Sequence, residues 1–110
     1  MTLTELRYIV ALAQEGNFSR AAESCSVSQP TLSVAIARLE DELGVQLFER
    51  GKGFVSPSTV GVRVVEQAQV ALREAEKVRR RATILRRHAV GREDRRVPRS
   101  QPILDAAPGG

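Results

Sequence analysis

Gln29, Pro30, Thr31, Ser33, Val34 and Arg38 follow Ser28 at spacings that line them along or beside one side of a helix. Their side chains offer hydrogen bonds and small apolar contacts. Gln29 can pair bidentately with adenine, Arg38 can reach guanine or a phosphate, and Pro30 and Val34 can touch a thymine methyl. Ser28, Thr31 and Ser33 can donate hydroxyl hydrogen bonds to phosphate or base, and a helix N-terminus favours a phosphate in its own right. Ser19 and Arg20 stand ahead of this group, where they could clamp a strand. Arg50 and Lys52 lie beyond it, beside glycines that allow close approach. Each of these residues, read alone, is equally a solvated surface side chain.

Other chemistry is poorly served. One Cys excludes an internal disulfide and an all-Cys metal site, and with a single His a zinc site is not expected either. There is no Gly-rich phosphate loop, no nucleophile with a nearby base and no metal cluster, so neither an enzyme, a metal nor a cofactor is expected. His88 stands alone in an Arg-rich stretch.

The 110 residues suffice for one domain, and with 42% apolar but 4% aromatic residues its core must be aliphatic. No apolar run approaches the roughly 18 residues of a membrane span. Met1-Thr2-Leu3-Thr4-Glu5 carries no secretory signal. A soluble, cytoplasmic chain without a membrane partner is the expectation. The net charge of +4 is unevenly distributed: residues 1–78 hold 8 cations and 10 acids, whereas residues 79–110 hold 9 Arg and 3 acids. A nucleic-acid partner of the folded part would therefore be met by a few placed cations and not by bulk charge.

The elements that must position these residues are legible from periodicity. Leu3, Leu6, Ile9, Val10 and Ala13 predict a helix over about 4–15, stopped by Gly16. Phe18, Ala21, Ala22 and Cys25 form one face of a short second helix, which makes Cys25 a packed core thiol. Ser28 as N-cap and Pro30 in the first turn open a third helix over about 29–43, with Leu32, Ile36, Leu39 and Leu43 as its buried stripe. That stripe turns Pro30, Val34, Ala37 and Asp41 outward, flanked by Thr31, Ser33 and Arg38. Val45–Phe48 and Phe54-Val55, separated by Gly51-Lys52-Gly53, predict a two-stranded wing.

Thr59 or Ser58 can cap a long fourth helix over 59–88. Val64, Ala68, Ala71, Ala75, Val78, Ala82 and Leu85 make a heptad seam that Val65 and Leu72 widen. Either this helix folds back on the first, or it pairs with a second chain; its length against so small a core favours pairing. Residues 89–110, rich in Arg, Pro and Gly, are expected to be disordered: an unselected extension or a non-specific nucleic-acid arm.

Two helices joined by a tight turn predict a helix-turn-helix at about 18–37, although spacing alone fits a plain helical hairpin equally well. The string of residues goes further. Ala21-Ala22, then Val27-Ser28-Gln29-Pro30-Thr31-Leu32-Ser33, Ile36, Leu39-Glu40-Asp41-Glu42-Leu43-Gly44-Val45 and Leu47-Phe48-Glu49-Arg50 resemble the N-terminal DNA-binding domain of LysR-type transcriptional regulators over about residues 1–80. Within that family the stretch from Glu23 to Val45 looks most like the peroxide-responsive members.

The resemblance implies a mainly α fold: a winged helix-turn-helix over 1–58, then a linker helix that pairs antiparallel in a homodimer through Val64, Ala68, Ala71, Leu72, Ala75, Val78 and Ala82. It implies a recognition helix in the major groove and wings over the adjacent minor groove of a dyad-symmetric duplex. Family members continue into an effector-binding domain of two α/β lobes, where peroxide sensing uses a cysteine pair. Nothing resembling that domain follows here, so a truncated or frame-altered member, or a fragment, is expected. A helical partner protein that hetero-dimerises with a full-length regulator is the competing reading.

Overall fold

Thr2 opens the first helix with a reciprocal cap: its hydroxyl accepts from the Glu5 N–H at 3.1 Å and the Glu5 carboxylate accepts from the Thr2 N–H at 2.8 Å. In the computed structural model, which describes residues 1–91, this helix, α1, spans Leu3–Glu15 and ends on Gly16 at φ 68°. Helix α2 spans Phe18–Ser24, capped by the Asn17 side chain on the Arg20 N–H. Four residues, Cys25 to Ser28, join it to α3, Gln29–Leu43. Among them Ser26 takes the left-handed φ of 59° and Val27 donates to the Ala22 carbonyl at 3.0 Å. Ser28 caps α3 on the Thr31 N–H at 3.2 Å, and Gly44 ends it at φ 73°.

Strands β1 (Phe48–Arg50) and β2 (Val55–Pro57) then pair antiparallel, with Phe48 opposite Pro57 and Arg50 opposite Val55. Helix α4, Thr59–Gly91, starts where the Ser58 hydroxyl accepts from the Gly61 N–H at 2.9 Å.

The architecture is mainly helical with one two-stranded wing, as the sequence leads one to expect. Its core gathers Leu6, Ile9 and Leu12 of α1, Ala21 and Ala22 of α2, Leu32, Ile36 and Leu39 of α3, Leu47, Phe48 and Val55 of the wing region, and Val65 and Ala68 of α4. The alanine pair lets α2 approach its neighbours closely. The Val55 N–H donates to the Gly16 carbonyl at 2.9 Å, which ties the wing to the α1–α2 turn.

Several expectations shift by one turn or one strand. Leu3 and Leu43, at the outer ends of their stripes, are exposed, and Leu12 and Leu47 fill the core in their place. Cys25 is not in the core: it is the half-buried C-cap of α2, because the helix ends one residue before the stripe would complete its second turn. Val45–Leu47 do not pair as a strand. The Glu40 carboxylate takes their ladder partners' place, with Oε2 accepting from the Leu47 N–H at 2.7 Å and the Phe48 N–H at 3.2 Å. Replacing Glu40 with Ala strands two backbone donors, so it should lower stability by about 2 kcal/mol, read as a reduced urea midpoint at unchanged m-value.

The largest correction concerns α4. Val65 and Ala68 lie in the protomer's own core, and Val64, Ala71 and Leu72 pack against it. Ala68, only 3% exposed, is not available to a partner. Met1–Ala75 accordingly forms one compact unit, which runs beyond residue 58 because the first half of α4 completes the core. The residues from Glu76 on form a second unit. There Val78 and Leu85 are exposed at 70% and 58%, and Arg79 donates to the Glu76 carboxylate at 2.8 Å. Residues 89–91, expected to be disordered, continue the helix; the rest of the Arg/Pro/Gly-rich tail lies outside the described residues. Among the described residues no helix is long and apolar enough to cross a membrane.

Candidate nucleic-acid interface

The α2–turn–α3 unit holds the recognition candidates by their caps. Ser28 donates its hydroxyl hydrogen to Thr31 Oγ1 at 2.9 Å while accepting from the Thr31 N–H, so its role is to start the helix. Thr31 keeps its own hydroxyl hydrogen for an outside acceptor. Gln29, Pro30, Thr31, Val34 and Arg38 are all exposed, Val34 at 52%, whereas Ser33 is half-buried. The opposite side of the same helix is Leu32, Ile36 and Leu39, all in the core. Burial of that side fixes which way the exposed one points.

Ser19 and Gln29 meet across the turn. The Ser19 hydroxyl donates to Gln29 Oε1 at 2.9 Å. One lone pair of that oxygen and both amide hydrogens remain, which is what a bidentate pair with adenine needs. Ser19, expected as a backbone clamp, is thus placed to orient the glutamine.

Arg50, at the end of β1, lays its guanidinium over the Phe18 ring with the carbon 4.6 Å from the centroid. This cation–π contact holds the wing against the start of α2. An open cleft follows, bordered by Asn17, Ser19, Gln29 and Arg50, with Phe18 and Phe54 as its aromatic walls. Pro30, Thr31, Val34 and Arg38 line a second shallow groove with Glu5 and Ala35.

Arg20 and Lys52 are exposed and border neither cleft. Six residues lining the first cleft were not among the expected contacts: Asn17, Phe18, Gly51, Gly53, Phe54 and Val55. Asn17 and Phe18 carry a signal in their capping and stripe positions. Phe54 carries none, since an apolar residue after a turn reads as a strand.

Acidic groups collect at the other end of α3. The Met1 ammonium donates to the Glu42 carboxylate at 3.1 Å, and this hydrogen bond and charge raise the amine above its usual pKa of 8.0. That tether contributes below the ordinary amine pKa and fades as pH rises through the raised one. Among the described residues no group of three or more His, Cys, Asp or Glu side chains is arranged to hold a metal ion.

Comparisons with known proteins give this geometry a setting. Residues 3–62 match the family model of bacterial regulatory helix-turn-helix proteins of the lysR family. A hydrogen peroxide-inducible genes activator of Pectobacterium carotovorum is 49% identical over 83 residues, covering 76% of this chain and 28% of its own length. The DNA-binding transcriptional dual regulator OxyR of Escherichia coli K12 is 48% identical, covering 76% of this chain and 27% of its own length. Among solved structures, a full-length OxyR variant from Pseudomonas aeruginosa superposes with a TM-score of 0.74 at 60% identity, covering 76% of this chain and 28% of that one. The CbnR DNA-binding domain in complex with DNA gives 0.73 at 32% identity, covering 77% of this chain and 98% of that one. The chain spans little more than a quarter of the length of the curated relatives it matches.

Proposed function

The chain belongs to the lysR family of bacterial regulatory helix-turn-helix proteins, as a DNA-binding domain of the transcription-regulating, OxyR-like kind, and from that premise we propose that it binds a dyad-symmetric duplex site as a homodimer. In this reading α3 enters the major groove and reads bases, while α2 and the wing hold the phosphates. The observation that carries it is the exposed, acid-free outer side of α3 from Gln29 to Arg38, backed by a core-facing aliphatic side. Asp41 and Glu42 occupy the last turn, so the helix meets a polyanion with its Ser28 end.

Gln29 pairs with adenine, Pro30 and Val34 touch thymine methyls, and Arg38 reaches guanine or a phosphate. Thr31 donates a hydroxyl, and Ser33, half-buried, has the least reach. Arg20, Arg50 and Lys52 take phosphates. Selecting sequences from a random duplex pool with the purified chain should enrich a two-fold symmetric motif; a pool without one would overturn the reading.

The roles separate by mutation. Gln29→Ala should relax preference at one position per half-site by about 1–3 kcal/mol. Arg20→Ala should weaken all sequences alike. Indistinguishable binding profiles for the two variants would contradict the assignment.

Because Ala68 is occupied in the protomer, pairing falls to Ala75, Val78 and Ala82, with Leu85. Arg79, Arg81 and Arg86 flank that stripe; Arg79 pairs with Glu76 in its own helix, and Arg81 and Arg86 bring like charge to a homodimer seam. Exposed pairs of this kind matter at about 0.2–1 kcal/mol each. Covering Val78 and Leu85 returns about 1–2 kcal/mol each, so self-pairing stands. The same flanking charges favour a second reading, in which the stripe pairs with the helix of a full-length regulator bearing acids at those positions. Sedimentation of a mixture with such a regulator separates the two, since only the second reading produces hetero-dimers.

A further inference from the structure

Phe54 sits in the wing in a way that local packing does not exhaust. Among the three phenylalanines, Phe48 is in the core and Phe18 packs against it, whereas Phe54 is 55% exposed. Its position is nevertheless set. The Gly51 N–H donates to the Phe54 carbonyl at 2.8 Å, and Gly53 turns the chain at φ 75°. The ring then lies on Gly51 so closely that a Cβ there would fall among the ring carbons, with Cε2 at 2.9 Å. The tip of the ring thus lies against Gly51, while more than half of the side chain stays exposed. The ring also borders the cleft that carries Ser19, Gln29 and Arg50. An apolar ring therefore stands on the same cleft as Arg50 and the glutamine at the start of α3, with Lys52 two residues before it in the chain.

We propose that Phe54 is an apolar DNA contact of the wing, pressed against the deoxyribose rims of the minor groove next to the major-groove site of α3. This rests on the duplex-binding reading above. Sugars expose C–H surface between phosphates that Arg50 and Lys52 can pair, and an apolar side chain there responds to groove width and step flexibility rather than to base hydrogen-bond patterns. The contact neutralises no phosphate, so it adds affinity without adding to the salt dependence.

The test is titration of the selected duplex with the wild-type chain, Phe54→Ala, Phe54→Leu and Gly51→Ala, at four or more salt concentrations, with thermal melts as a folding control. Phe54→Ala should bind about tenfold or more weakly, with the log–log salt slope unchanged and the melting temperature close to wild type. Phe54→Leu should recover most of the loss. Gly51→Ala, which unseats the ring, should resemble Phe54→Ala in binding. Narrowing the flank with an A-tract should weaken wild-type binding and leave Phe54→Ala indifferent. Phe54→Ala within twofold of wild type, or a slope shallower by one or more, would overturn the proposal while leaving the duplex reading intact. If the wild-type chain has no salt-sensitive preferred duplex, the underlying reading fails first, and the two failures are told apart.

Discussion

Raising the salt from about 50 to about 200 mM should weaken binding of the selected duplex by roughly 10³- to 10⁴-fold. Each protomer presents four exposed cations on the proposed face: Arg20, Arg38, Arg50 and Lys52. With roughly three to four phosphates neutralised per protomer, a dimer gives a log–log slope of about −5 to −7. The magnitude is decided by these residues and not by the basic composition, because residues 1–78 carry more acids than cations. A monomer on a half-site would show about half that slope. Arg20→Ala should make the dimer slope shallower by about 2, one phosphate lost per protomer. A slope steeper than −7 that relaxes on deleting residues 92–110 would assign the excess to the Arg-rich tail. A flat titration would remove the electrostatic basis of the proposed function altogether.

How much of this was legible beforehand differs by element, for physical reasons. The three short helices and the outward side of α3 followed from periodicity and caps, because Ser28, Gly16 and Gly44 act within a few residues of themselves. The wing was legible as an alternation but not in its register, since Glu40 reaches seven residues along the chain to occupy the Leu47 N–H. The heptad seam of α4 was legible as apolar, but how it divides between the protomer's own core and any partner was not. A stripe looks the same whether it meets its own core or another chain, and only the packing of Val65 and Ala68 shows that the first half is already used. The candidate interface was legible as a set of side-chain chemistries. The Ser19–Gln29 hydrogen bond and the Arg50–Phe18 stack were not, because each joins elements whose separation in space the chain spacing does not encode.

Gly61→Ala should destabilise the domain by about 2 kcal/mol or more, a sign opposite to the one helix propensity suggests. Gly61 lies in the first turn of α4, and an alanine at an ordinary helical position is preferred over glycine by about 1 kcal/mol. Here the added Cβ would press on the Leu47 carbonyl oxygen, with the carbonyl carbon at 2.9 Å and the Leu47 Cα at 3.2 Å. All three are backbone atoms, and their peptide is clamped: the Leu47 carbonyl accepts from the Ser58 N–H at 2.8 Å while the Phe48 N–H of the same peptide, like the Leu47 N–H before it, donates to Glu40. Neither side can yield without breaking a hydrogen bond, so overpacking of about 1–3 kcal/mol adds to lost bonds and outweighs the propensity gain. A domain of this size should then melt about 10 °C lower. Gly44→Ala is the contrasting variant. Nothing stands within 4 Å of its Cβ, so only the left-handed φ of 73° opposes it, at about 1 kcal/mol. If Gly61→Ala melts higher than wild type, the start of α4 does not sit on the Leu47 peptide, and the junction that carries the wing from β2 through Ser58 into α4 is built differently.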